Sequence, residues 1–314
     1  MLGKRLGAII TARLANALAP EILNRLEAAA PWKQMVFFPS PEAIGPSRDY
    51  PFMASSACVA SDFFHAEFAR ICALIGVGVS FHRKLWEWVF ILHHAERLGV
   101  LRPGARGLAF GVGRELLPAS FAALGCEIVA TDAPPEQAES SGWSASGQFA
   151  AGLDALPNGS LDRTIFEQRV RWQTCDMNAI DPALVDFDFC WSSCCFEHLG
   201  DIEAGLDFVV NSVEQTLKPG GVALHTTELN LSSNDATIER GPTVLFRRRD
   251  LEALIARLRA RGHEVESLRV GPNVFVMNNY ADTPPYSAPH LLVSLGGFVT
   301  TSVGLVVRRG HRRN

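Results

Sequence analysis

Residues 108–118 read "LAFGVGRELLP": an apolar run, then Gly111-Val112-Gly113, then a turn into a helical pattern. The two glycines let a backbone come close to something. A dinucleotide, a nucleoside and a neighbouring helix would each suit a lone Gly-x-Gly, so the decision rests on what lies around it.

After Gly104 apolar strand-like runs alternate with helical ones. "RGLAF" (106–110) is the first strand and "ELLPASFAALG" (115–125) its helix. "EIVATD" (127–132), "VRWQTCD" (170–176), "FDFCWSS" (187–193) and "GVALHTTELN" (221–230) read as the second to fifth strands. "HEVESLRV" (263–270) and "FVTTSVGLVVRR" (298–309) read as the sixth and seventh. Helical periodicity fills 202–217 and 249–262. This alternation predicts an α/β fold with a doubly wound, mostly parallel seven-stranded sheet over residues 101–314. Residues 1–100 read as an N-terminal helical extension or lid, broken by a Pro- and Ser-rich stretch at 31–57 and by "GVGVS" at 76–80.

Ligands of such sheets sit at the carboxyl ends of the strands. Phe110, Gly111 and Gly113 stand at the end of the first strand. Asp132 ends the second, 21 residues after Gly111, the spacing at which a carboxylate meets a ribose diol. Asp176 follows the third strand, placed to accept from an adenine amino group. Ser192 and Ser193 end the fourth, and Glu197-His198 come next. A single acid there would read as a helix cap; polar residues at four successive strand ends read as a nucleoside site.

Leu116 stands where a dinucleotide fold wants a third Gly, which disfavours a nicotinamide-dependent oxidoreductase. With "FDFCWSSCCFEHL" (187–199) and "TLKPGG" (216–221), the chain from about 101 to 309 resembles the class I S-adenosylmethionine-dependent methyltransferases, in their broad small-molecule group. The resemblance implies S-adenosylmethionine as cofactor. Gly111 and Gly113 would flank its methionine part, Asp132 its ribose, and Asp176 and Met177 its adenine, with Ser192 and Ser193 lining the other side. Two positions depart from the family: Ala109 where an acid is usual, and Glu115 where Gly is usual. Glu115 either supplies the missing carboxylate to the cofactor's ammonium or favours a helix N-terminus.

Methyl transfer chiefly needs alignment, and a hydroxyl acceptor gains from a base. His198, beside Glu197, is the first candidate base; His225, in "HTTELN" with Glu228, is the second. Each could instead be structural, a helix-start or core histidine. His198, His225 and Glu228 are metal-ligand types, but strand alternation puts His225 and Glu228 on opposite faces, so no metal is expected. The polar block 230–250 sits where a substrate lid would be. Asn230, Asn234 and Glu239 could bond a polyol, and Arg247, Arg248 and Arg249 either an anion or solvent.

Composition sets the outer bounds. The 314 residues are 47% hydrophobic and 20% charged with net charge −4, so general nucleic-acid affinity is not expected. Seven cysteines without metal spacing read as reduced thiols of a cytoplasmic protein, adjacent Cys194 and Cys195 included. No run is long enough for an integral membrane span. The first 19 residues form an amphipathic pattern with Leu6, Ile9, Ile10, Leu14 and Leu18 on one face. Docking on the protein's own core, a homodimer contact and peripheral membrane contact through Lys4, Arg5 and Arg13 all suit that pattern. The functional expectation is methyl transfer to a small-molecule or glycan hydroxyl. The alternative is a non-catalytic nucleoside-binding module. The first 100 residues are expected to stay clear of the cofactor site.

Overall fold

A computed structural model describes residues 35–36, 51–140, 149–271 and 275–311. The amphipathic pattern at 1–19 lies outside the described residues.

Seven strands carry the architecture: β1 (Arg106–Phe110), β2 (Glu127–Asp132), β3 (Val170–Thr174), β4 (Phe187–Ser193), β5 (Leu217–Asn230), β6 (Glu264–Val265) and β7 (Phe298–Arg308). Their order across the sheet is β3-β2-β1-β4-β5-β7, with β6 paired to the far edge of β7. The first five run parallel, whereas β7 is antiparallel to both β5 and β6. The strand order reverses between β1 and β4, which defines the crevice where a ligand is expected. The doubly wound, mostly parallel fold read from the sequence is the one observed.

The sheet has ten strands among the described residues, not seven. Met35–Val36, Tyr280–Asp282 and Leu292–Leu295 extend it beyond β7. The reason lies in β7. It is eleven residues long, but β6 covers only Val307 and Arg308, so the edge of its start at Phe298–Thr301 pairs instead with Leu292–Leu295. A bare strand edge of that length would invite outside pairing.

Every residue of β4 is buried, as expected of a central strand covered on both faces. Gly107 of β1 is required by packing: a Cβ there would lie 2.5 Å from the Phe189 ring and 2.8 Å from Ile128. Helices α1 (Ala66–Ile75), α2 (Arg83–Arg97), α3 (Leu117–Ala123) and α4 (Arg163–Arg169) lie on one face, around Trp86, Phe90, Phe121 and Phe166. Helices α5 (Ile202–Asn211) and α6 (Arg248–Ala260) cover the other, around Phe196, Phe208 and Leu254. Gly76 (φ 87°) ends α1, and His82 caps α2 by accepting the Lys84 amide at 3.1 Å. Trp86, Val89 and Phe90 of α2 belong to the same buried cluster as Phe189 and Trp191 of β4. No helix among the described residues is long and apolar enough to cross a membrane.

Candidate functional site at the strand ends

Gly111 (φ 56°) and Gly113 (φ 51°) are both left-handed, where a side chain is strained. A Cβ on Gly111 would also lie 2.8 Å from Cys195 Sγ and 3.6 Å from Met177 Sδ. The glycine thus lets residues from the ends of β3 and β4 close on the end of β1. The Cys195 thiol donates to the carbonyls of Phe110 (3.4 Å) and Gly111 (3.3 Å), fixing that approach.

Asp132 is buried at the end of β2. Its carboxylate accepts the amides of Ala133 (2.8 Å), Gly113 (3.1 Å) and Ala150 (3.1 Å). Burial raises its pKa above the ordinary value, and those three bonds pull the other way. Of its roughly four lone-pair directions three are taken, which leaves one on Oδ1. Asp176, past β3, accepts the Asn178 amide at 2.9 Å, and Met177 beside it is buried against Gly111.

Ser192 and Ser193 point to opposite faces of β4, as strand alternation requires. Ser192 meets His225 Nδ1 at 2.8 Å, and Ser212 meets Nε2 at 3.0 Å. Burial pushes the His225 pKa down to about 3, so the ring is neutral. It lies edge-on to Phe196 and Phe208 in the layer beneath the site. The structure therefore does not bring His225 or the Ser192 hydroxyl to the strand ends; His225 stands five residues before the end of β5.

The first 100 residues do not stay clear of the strand ends, because the first two turns of α2 reach them. Glu87 is fully buried there. Its Oε2 accepts from Lys84 Nζ (3.0 Å), Ser193 Oγ (2.9 Å) and Thr226 Oγ1 (3.0 Å), and its Oε1 from Ser302 Oγ (2.6 Å) and Cys194 Sγ (3.1 Å). Burial pushes this carboxyl up, but Lys84, Arg83 and the bonds from Ser302 and Cys194 outweigh it and hold it at about 2. Arg83 pairs with Glu228, which also accepts from Thr300 Oγ1 at 2.8 Å. Lys84 donates to the Ser193 carbonyl at 3.0 Å. Cys194 carries φ 50°, a strained value for a residue with a Cβ, and its amide is held by the Thr226 carbonyl at 3.1 Å. Both adjacent thiols are free, and burial pushes their pKa values well up. The sequence did carry a signal for α2: "RKLWE" (83–87) sets three charges at the start of a helix that is otherwise apolar through Leu92.

Glu197 is buried and accepts from Thr227 Oγ1 at 2.8 Å; burial raises its pKa. Its Oε1 lies 3.9 Å from His198 Nε2. His198 Nδ1 lies 2.7 Å from the Pro242 carbonyl, so Nδ1 carries the hydrogen and Nε2 is the basic nitrogen. Cys194, Glu197 and Glu228 offer ligand atoms within 4.8 Å of one another. The Arg83 guanidinium on Glu228 occupies the charge a cation would use.

Glu115 makes a contact beyond the two roles set out for it. Its carboxyl is buried against β4 and accepts from Trp191 Nε1 at 2.6 Å, and burial pushes its pKa up to about 8. The polar block after β5 is spent on itself. Asn230 bonds Ala236, Thr237, Ser232 and Ser233, and Asn234 accepts the Arg249 amide. Arg247 pairs with Glu239 and Asp250, Arg248 with Glu252, and Arg249 with Asp235.

No family model and no curated protein matches the chain. Solved structures with similar folds include phosphoethanolamine N-methyltransferase 2 of Haemonchus contortus in complex with S-adenosyl-L-methionine. The match has 14% identity over 71% of this chain and 53% of that one, with TM-score 0.42. The chain thus spans about half the length of that enzyme. An S-adenosylmethionine-dependent methyltransferase from Clostridium acetobutylicum matches at 12% identity over 73% and 92% of the two chains, TM-score 0.40. S-adenosylmethionine-bound CalS10, an amino pentose methyltransferase from Micromonospora echinaspora, matches at 17% over 76% and 96%, TM-score 0.40.

Proposed function

We propose that the chain is an S-adenosylmethionine-dependent methyltransferase of class I, acting on a hydroxyl of a small molecule or glycan. One observation carries the reading. At the point where the strand order reverses, Gly111 and Gly113 adopt left-handed turns, and Asp132 and Met177 converge on them from the next two strands. That donor set fits a nucleoside with an aliphatic sulfur arm. The free direction on Asp132 Oδ1 suits a ribose hydroxyl, Asp176 an adenine amino group, and Met177 a base face. Backbone from Phe110 to Gly113 would lie along the arm, with Ser193 and Cys195 opposite. When bound, the cofactor supplies an electrophilic methyl group on positive sulfur.

The protein's own part is alignment and proton removal. The acceptor would lie between the end of β5 and the first turn of α2. His198 Nε2 would take the hydroxyl proton, with the Glu197 carboxyl beside it to stabilise the imidazolium. His225 would serve by supporting β4 and β5 from below. Residues 1–100 would wall the site through α2, and the N-terminal amphipathic pattern would supply a subunit or membrane-surface contact. The cytoplasm suits the free thiols.

A second reading, a nucleoside-binding module without catalysis, has its own support: Ala109 offers no carboxylate and Glu115 is tied to Trp191, so the cofactor's ammonium has no acid in the loop. Titration calorimetry with S-adenosylmethionine and with NAD tests both readings and the oxidoreductase alternative. Binding of the former alone, followed by turnover that falls in His198→Ala, supports the enzyme. Tight binding without turnover across sugars, lipids and metabolites supports the module, and preference for NAD overturns both.

A further inference from the structure

We propose that Lys84, in the first turn of α2, holds the carboxylate at the end of the cofactor's methionine arm, a role that rests on the S-adenosylmethionine reading above. The arm ends in an ammonium and a carboxylate on one carbon, so it needs a cation near the glycine turn as well as an acceptor. Arg114 follows Gly113 but is exposed, where solvent screens its charge. Lys84 comes to the turn from the other side. Its Nζ donates to the Ser193 carbonyl at 3.0 Å. The Cys195 thiol donates to that same carbonyl and to the Gly111 carbonyl, each at 3.3 Å. The lysine is thus linked to the glycine turn through one carbonyl and one thiol. Its charge is felt there: burial is the largest influence on Cys195 and Glu115 and pushes both pKa values up, while Lys84 pulls both down.

Lys84 also has the reach and the capacity. Its side chain is 36% exposed, against 18% for Arg83 and 0% for Glu87, so it is the cation of this cluster that a ligand meets. An ammonium has three hydrogens to donate. Glu87 Oε2 takes one at 3.0 Å and the Ser193 carbonyl takes another. The third has only the Ser193 hydroxyl at 3.4 Å, and that hydroxyl is itself turned to Glu87. A carboxylate oxygen is the stronger acceptor for it, because the bond is charge-assisted. The α2 backbone does not compete for the ligand: the Lys84 amide donates to His82 Nδ1 and the Arg83 amide to the His290 carbonyl. The charges balance as well. Glu87 and Glu228 already neutralise Lys84 and Arg83, and an arm ending in both an ammonium and a carboxylate adds no net charge beside them. An arm that has lost its carboxylate would instead bring a bare ammonium up to Lys84.

Titration calorimetry on the full chain tests this with S-adenosylmethionine and its decarboxylated form, which keeps the nucleoside, the sulfonium and the amine. The parent chain should bind the decarboxylated form about tenfold or more weakly, the scale of a hydrogen bond to a charged group. Lys84→Met should shrink that preference to less than about threefold, chiefly by weakening S-adenosylmethionine binding. Lys84→Met strands the Glu87 carboxylate, so the double variant Lys84→Met/Glu87→Gln, which removes both charges of the pair, should show the same loss of preference. Arg114→Met should keep the parent's preference. Equal binding of the two compounds by the parent overturns the proposal. So does a preference that survives in either Lys84 variant, or one lost in Arg114→Met instead. Each of those results leaves S-adenosylmethionine bound and the methyltransferase reading intact. Absence of binding by either compound in the parent overturns that reading, and this proposal with it.

Discussion

The amide of Gly113 lies 3.1 Å from Oδ2 of Asp132, so the glycine turn and the end of β2 hold each other in place before any ligand arrives. Removing that carboxylate should therefore act twice. Asp132→Ala should weaken S-adenosylmethionine binding by about 1.5–3 kcal/mol, the scale of hydrogen bonds to a charged group. It should also lower the melting temperature by freeing three amides. Calorimetry alongside thermal melting checks both effects. Unchanged affinity in a folded variant would remove Asp132 from the cofactor site.

Glu115 should titrate as a buried acid. Its pKa is raised from 4.5 to about 8, so the folded state favours the protonated form. The stability this gives is complete below about pH 4.5 and is lost as pH rises through 8, at about 1.4 kcal/mol per pH unit inside that window. Glu115→Gln should flatten the loss, and its melting temperature should change less than that of the parent between pH 5 and pH 9. At pH 7 the carboxyl is already neutral and held by Trp191, so cofactor affinity should move less than twofold. A large loss of affinity at pH 7 would show that the cofactor's ammonium draws Glu115 into its charged form.

Glu87 should behave in the opposite sense. Its pKa is held at about 2, below the ordinary 4.5. The stability it contributes is present above about pH 4.5 and disappears as pH falls through 2. Glu87→Gln should therefore lose less stability than the parent on acidification from pH 5 to pH 2. At pH 7 Glu87→Ala should cost about 3–5 kcal/mol, since Lys84 and Arg83 would lose their buried counter-charge. Denaturant unfolding across pH measures both.

The two histidines should separate cleanly. His198→Ala should lower turnover by about two to four orders of magnitude with cofactor affinity near wild type. His225→Ala should cost about 2–4 kcal/mol of stability by opening a cavity and stranding Ser192 and Ser212. If His225→Ala instead slowed turnover without a change in melting temperature, the ring would have a part in proton transfer.

What could be read beforehand divides along a physical line. The parallel strands, the glycine turn and Asp132 were legible because each depends on local periodicity or on spacing along a βαβ unit. The faces of His225 and Glu228 also followed from alternation alone. Which of the two histidines lies at the rim did not, because that depends on where β5 ends, at Asn230. Glu87 was not legible as a site residue. An acid in the first turns of a helix reads as solvated, and its partners Ser193, Thr226 and Ser302 stand far away in sequence. The contact made by Glu115 was hidden for the same reason. Its partner is Trp191, a residue of the fourth strand, not the helix that follows Glu115. The three extra edge strands are two to four residues long, too short to show a period.

The bond from Ser302 to Glu87 joins residues 215 positions apart. A ribosome that has made the glycine turn, both candidate histidines and the first five strands has still not made the partner that completes the Glu87 cluster. Until β7 is released and inserted beside β5, that buried carboxylate lacks the Ser302 hydroxyl, and the β5 edge lies open. The nascent chain would spend its synthesis with the strand-end site unfinished, and long-range closure of this kind slows folding. The Glu87 cluster would thus be completed only after β7 is made, and a chain cut short before residue 298 would lack both β7 and the closing contact.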